Sequence, residues 1–119
     1  MIKVVAFIAA KPGISREAFK AYYENSHTPL ISRLLPTIGR YVRNYIQPAP
    51  LWRPEEPGPG FDVVTELWFE DQGAFEAFRT TITKSEVVGE IRADELNFLD
   101  PEKTRLHVVE EYMTLTAGS

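Results

Sequence analysis

Two segments of this chain carry apolar side chains on both faces of an extended strand, and that restricts the fold more than any other feature. Ile2 to Ala10 is apolar at odd and even positions alike, which places it in the interior of a sheet covered on both faces. Phe61 to Glu70 sets Phe61, Val63, Thr65, Leu67 and Phe69 on one face and Asp62, Val64, Glu66 and Trp68 on the other. Its second face therefore also carries bulky apolar groups. A single lysine before an apolar run could pass for a secretory leader, but the run is short, β-branched and ends in the turn Lys11-Pro12-Gly13. It reads as a strand, and a cytoplasmic location is the default expectation.

Ser15 offers an N-cap after that turn. Phe19, Tyr22, Tyr23, Ser26 and Leu30 then recur at helical spacing, with His27 four residues beyond Tyr23. Pro29 biases Thr28 away from helical angles yet suits a first helical position. The expectation is a helix from about Ser15 to Ser26, a kink, and a continuation to Leu35, with Pro36 and Gly39 releasing the chain. Tyr41 to Gln47 alternates as a second strand. Pro48 to Gly60, with five prolines, two glycines and Trp52, is a loop whose aromatic could fold over a neighbouring surface. Asp71 caps a second helix carrying Phe75, Phe78 and Ile82. A further helical stretch runs from about Glu86 to Leu99, stopped by Asp100-Pro101, and Arg105 to Thr116 is the last strand.

The order β-α-β-β-α-β is a split βαβ motif. It predicts an α+β, ferredoxin-like fold: a four-stranded antiparallel sheet, first and third strands central, helices on one face. A length of 119 residues suits one domain, residues 1–119. One helical layer covers only one face, so the face with Val64 and Trp68 needs another cover. A second copy of the chain, closing two sheets into a barrel with two-fold symmetry, is the economical one.

Composition removes whole classes of function. A net charge of -4 does not suit a phosphate backbone, so nucleic acid is not an expected partner. No basic amphipathic segment serves a lipid surface, and nothing reaches membrane-spanning length. With no cysteine, disulfides, thiolate metal sites and cysteine nucleophiles are excluded. His27 and His107 are the only histidines, far apart and without a third close ligand, so no metal site is expected. Gly-rich phosphate loops, nucleophile elbows and dinucleotide fingerprints are missing as well.

Polar residues in apolar settings are what remain. His27 extends the apolar stripe at the predicted break, an inward imidazole whose pKa can sit near neutrality. It is either a proton carrier or a packed, capping histidine. A break would also free the N–H groups of Leu30 and Ile31 to face an anion. Glu66, mid-strand between Val64 and Trp68, loses water on burial. It is a general base or substrate anchor, or else the ion-pair partner of Arg43, Arg105 or a lysine across the sheet or a dimer seam. Asn44, between Val42 and Ile46, must find partners if that face is buried and could orient a ligand. On spacing alone Asp94, Glu95 and Asp100, around Phe98, make a solvated helix face with a stop.

Taken in order, several segments resemble the EthD-type family of dimeric α+β barrel proteins. They are Lys11-Pro12-Gly13-Ile14-Ser15-Arg16-Glu17-Ala18-Phe19, His27-Thr28-Pro29-Leu30, Tyr41-Val42-Arg43-Asn44, Glu66-Leu67-Trp68-Phe69, and Ala93-Asp94-Glu95 with Phe98-Leu99-Asp100. The resemblance spans nearly the whole chain, and the Pro-rich loop is its departure. It implies a homodimer, a pocket between sheet and helices or inside the barrel, and chemistry without a cofactor on a small hydrophobic or aromatic ligand. It raises His27 to the first candidate for proton transfer and gives Asp94 to Asp100 weight as a structural feature. The expected function is a cofactor-independent lyase, cyclase or dehydratase acting on an aromatic or polyketide-like molecule. His27 would be its proton shuttle, Glu66 the acid/base partner or orienter, and Tyr23, Asn44 and Trp68 the pocket wall. A cofactor-free oxygenase of the same fold and a non-catalytic binding protein are the competing expectations.

Overall fold

The computed structural model describes residues 1–118. Its elements are β1 (Ile2–Ile8), α1 (Arg16–Tyr22), a π-helical turn (Tyr23–His27), α2 (Thr28–Leu34), β2 (Arg40–Tyr45), β3 (Val63–Phe69), α3 (Gln72–Thr81), α4 (Ser85–Glu95) and β4 (Arg105–Val109). The strands form one antiparallel sheet in the order β2-β3-β1-β4. The two doubly apolar strands occupy its centre, as their pattern requires. β4 is shorter than the sequence suggests. Its pairing runs from Phe7↔Arg105 to Lys3↔Val109, where β1 is nearly used up.

Register decides which side chains share a face. Val4↔Leu67, Ala6↔Thr65 and Ile8↔Val63 lie on the helix side, joined by Tyr41 opposite Leu67 and Tyr45 opposite Val63. Lys3, Val5, Val42, Asn44, Val64, Glu66 and Trp68 take the other side by the same pairing. Burial along β3 alternates accordingly, from buried Val63 to buried Phe69 with half-buried residues between. The helices cover the first face with two apolar clusters. One packs Phe75, Phe78 and Ile31 against Val4, Leu67 and Phe69. The other packs Phe19, Tyr23 and Phe98 against Ala6, Ile8 and Val63.

Capping starts two helices where the sequence places them. Ser15 Oγ accepts from the Ala18 N–H at 3.1 Å, and Asp71 Oδ1 from the Ala74 N–H at 2.8 Å, contacts of about 1 kcal/mol each. The stop and restart expected at Thr28-Pro29 does not occur. Thr28 keeps helical angles (φ -58°, ψ -46°), and its N–H reaches back five residues to the Tyr23 carbonyl. Pro29 lacks an N–H and its ring crowds the carbonyl four residues earlier; one widened turn absorbs both without ending the helix. No helix start therefore exists to free N–H groups at Leu30 and Ile31. α4 stops at Glu95, four residues before the predicted end. The chain turns so that Phe98 accepts from the Lys11 N–H at 2.8 Å and Leu99 bridges to Ala10. Leu51 and Trp52, in the Pro-rich loop, are exposed and fold over nothing. Among the described residues no helix is long and apolar enough to cross a membrane.

Phe69 is fully buried where helix α3 and the sheet core meet, with Phe75 and Phe78 rings 5.6 and 4.8 Å away. Phe69→Ala should cost about 3–5 kcal/mol of stability, read as a lower urea midpoint.

Candidate active site

The π-helical turn is what builds the site. Tyr23 and His27, four residues apart on one helical face, both point at the sheet and are buried. Their rings are 5.5 Å apart and edge-to-face. The turn is clamped from outside by Glu24, which receives two bonds from Arg43 of β2 at 2.6 and 3.0 Å and a third from the Tyr45 hydroxyl. Arg43 first, then Tyr45, hold the Glu24 carboxyl below its usual range against the effect of burial.

His27 is 5 % exposed. Its Nδ1 lies 2.7 Å from Asp94 Oδ2 on α4, and its ring packs 4.8 Å from the Phe98 ring. The other Asp94 oxygen accepts from the Tyr22 hydroxyl at 2.7 Å, and Asn97 donates to Tyr22 at 2.9 Å. A carboxylate at Nδ1 fixes the tautomer with its proton there and leaves Nε2 as the basic atom. This is the orienting arrangement that a general base needs.

That ring forms part of the wall of a cavity of about 160 Å³ between helices and sheet. The wall is mostly apolar, including Ile8, Ile31, Leu67, Phe78 and Ile91, with Tyr23, Tyr41, Thr65, Glu95 and Thr104 as its polar members. The Tyr41 hydroxyl donates to Tyr23 at 3.3 Å, and Tyr23 meets Thr65 Oγ1 at 2.7 Å. Burial raises the pKa of both phenols, so they stay neutral donors.

Of the residues expected from sequence to form the site, His27 and Tyr23 share this cavity, and Glu95, expected on a solvated helix face, joins them. Glu66, Asn44 and Trp68 lie on the opposite face of the sheet, so Glu66 does not meet His27: alternation along β3 turns it away from the helices. Glu66 instead contacts Lys3 Nζ at 2.7 Å and receives the Asn44 amide at 2.9 Å. Those two bonds, Lys3 first, lower its pKa. Trp68 lies between Lys3, 4.7 Å from its ring centre, and Arg40 at 5.7 Å. His107 is on this face too, paired opposite Val5. Asp94 is the carboxylate that sequence spacing assigned to solvent. The available signal was Phe98 four residues on, an aromatic that needs the same face of the chain buried. Among the described residues no group of three or more histidines and carboxylates is placed to hold a metal ion.

The EthD domain pattern matches residues 11–102. The chain belongs to the EthD family. Solved structures share its fold at low identity. An ethyl tert-butyl ether D (EthD) family protein from Bacillus halodurans is 20% identical, with 94% of this chain and 100% of that one covered and a TM-score of 0.64. A dimeric ferredoxin-like protein of unknown function from Thermobifida fusca is 11% identical, with 91% and 88% covered and a TM-score of 0.52. SnoaB, a cofactor-independent oxygenase from Streptomyces nogalater, is 11% identical, with 96% and 95% covered and a TM-score of 0.57. No curated protein matches.

In this EthD protein burial is the largest influence on His27 and lowers its pKa below the ordinary 6.5, while Asp94 pulls the other way. Between the lowered folded value and about 6.5, the unfolded chain binds more protons on this ring than the folded one, so stability falls as pH drops through that window. His27→Gln should flatten that part of a urea-denaturation profile against pH. Asp94→Asn should lower the folded imidazole's pKa further in an NMR titration; a rise would contradict the assignment of Asp94 as its partner.

Proposed function

We propose that this protein is a small cofactor-independent enzyme in which His27 moves a proton to and from carbon in an aromatic or similarly apolar substrate. The observation that carries this is the imidazole anchored at Nδ1 by Asp94 while its ring forms part of a cavity wall. The wall is apolar enough to keep the imidazole neutral, and so free to accept a proton, and holds few groups that could bind a strongly charged ligand. Proton abstraction next to a carbonyl, followed by ring closure or loss of a group, fits lyase, cyclase or dehydratase chemistry and needs only a base and hydrogen-bond donors. Tyr23, Tyr41 and Thr65 supply donors on the same wall. About 150 Å³ is enough for a benzene-sized guest, so the cavity of about 160 Å³ favours a substrate that presents one ring at a time.

The resemblance in fold to a cofactor-independent oxygenase makes oxygen use the natural competitor, since such a reaction also begins with deprotonation. A second copy completes the proposal. The open sheet face carries Trp68, whose indole N–H is buried without a partner. Tyr112, Met113 and Leu115 are exposed beyond β4, while exposed Leu106 and Val108 lie on its helix side. A related fold is described as dimeric. Glu66, Asn44 and Trp68 then belong to the dimer seam or the barrel it encloses rather than to the His27 cavity.

Acetophenone, a single-ring ketone, tests the chemistry through deuterium uptake at its methyl group in heavy water. His27→Ala should lower the protein-dependent rate by about 100- to 10,000-fold. The rate should be the same with and without oxygen; a strict oxygen requirement would favour the oxygenase, and bound ketone without exchange a binding protein. Light scattering at micromolar concentration should return twice the 13.5 kDa chain mass, and a monomer would remove the paired-sheet assembly.

A further inference from the structure

We infer that Glu95 is the second proton carrier of the cavity, donating to the substrate's oxygen while His27 takes the proton from carbon. This rests on the reading of His27 as a base and adds a requirement on the substrate. Glu95 ends α4, one residue after Asp94, and the two carboxyls go different ways. Asp94 reaches the back of the imidazole; Glu95 lines the cavity. A second, outer groove of about 460 Å³ also has Glu95, Thr104 and Leu106 in its wall. Glu95 therefore forms part of the wall of both the inner cavity and the outer groove.

Its chemistry differs from that of the other half-buried glutamates. Glu24 and Glu66 each hold a cation within 3 Å. The Glu95 carboxyl makes no hydrogen bond or ion pair with any described side chain. The charged and titratable groups around it are Arg92 and Asp94 on α4, His27 from the π-helical turn, Tyr23 and Tyr41 across the cavity, and Arg105 beside the groove. Burial first, with Asp94 adding to it, raises its pKa, and Arg92 opposes them without prevailing. His27 and Glu95 are thus pushed in opposite directions, the base towards neutral imidazole and the acid towards neutral carboxyl. Two groups displaced this way in one cavity make an acid/base pair.

The step balances without a further reactant. His27 Nε2 takes the proton from carbon, the C–H electron pair becomes the C=C bond, the carbonyl π pair moves to oxygen, and that oxygen takes the Glu95 proton to give the enol. The substrate is then a single-ring carbon acid whose carbonyl oxygen points outward, towards the groove, with its acidic C–H inward at His27.

Acetophenone exchange, followed against pH from 4 to 9, separates this from the His27 reading. The wild-type protein should give a bell-shaped profile, because exchange needs His27 unprotonated and Glu95 protonated at once. Glu95→Gln keeps the shape of the side chain but cannot give up a proton; it should lower the maximum by about 100-fold and remove one limb of the bell. The carboxyl carbon of Glu95 should titrate, by NMR, at higher pH than a glutamate in an unstructured peptide. An unchanged bell in Glu95→Gln, or a titration at or below the peptide value, overturns the Glu95 role and leaves His27 standing. Exchange that survives His27→Gln at the wild-type rate overturns both.

Discussion

The site depends on one hydrogen bond, from the His27 imidazole to Asp94. Both partners are removed from most of their water, which is costly for each alone. Together they satisfy each other, and Tyr22 occupies the oxygen that His27 leaves free. Burial outweighs the attraction of the carboxylate, so the ring is neutral where an exposed one would begin to charge. The bond is therefore a fixed support for a base and not a full ion pair. It joins segments 67 residues apart, and any shift of α4 against the long helix would turn the ring in its cavity.

The sheet is a partition between two polar systems with different tasks. On the helix side, Tyr41, Tyr23 and Thr65 form a chain of hydroxyls in a nearly dry space. On the other, Lys3, Glu66 and Asn44 satisfy one another around Trp68, with Lys3 and Glu66 side chains 16% and 21% exposed. A pair that exposed contributes up to about 1 kcal/mol, which is little for the fold. Its arrangement matters more than its energy. It pairs the Lys3 and Glu66 charges with each other, so covering those two does not bury an isolated ion. The same alternation that buries Val63, Thr65, Leu67 and Phe69 forbids Glu66 from reaching His27.

Strand placement was legible because burial on both faces writes itself into every residue of β1 and β3. Strand order then follows from the split motif, and the face assigned to each side chain from period two. His27 and Tyr23 were legible for the same reason: they lie on an apolar stripe. Asp94 was not. Its own segment, Ala93-Asp94-Glu95, looks solvated, and it turns inward only because α4 stops early and Phe98 plugs the space beneath it. A carboxylate that becomes buried through a contact far away in sequence leaves no local periodicity to read. The helix break at Pro29 is a different case. Proline's two local constraints are real, but a helix can meet them by widening as well as by breaking, and packing on both sides decides which.

The site lies on that widened turn. Residues four apart share one face of a helix, so Tyr23 and His27 both turn towards the sheet. The five-residue bond carries the helix past Pro29 with both still inward. Something must hold such a turn, and Glu24, directly between the two inward residues, takes Arg43 and Tyr45 from β2 on its outer side. Arg43 in turn bonds the Tyr41 carbonyl and packs 4.8 Å over the Tyr41 ring, whose hydroxyl reaches Tyr23. The strand edge, the widened turn and the hydroxyl chain are thus one connected unit. Its two ends converge on the cavity, with the imidazole arriving from the helix and the phenols from helix and sheet.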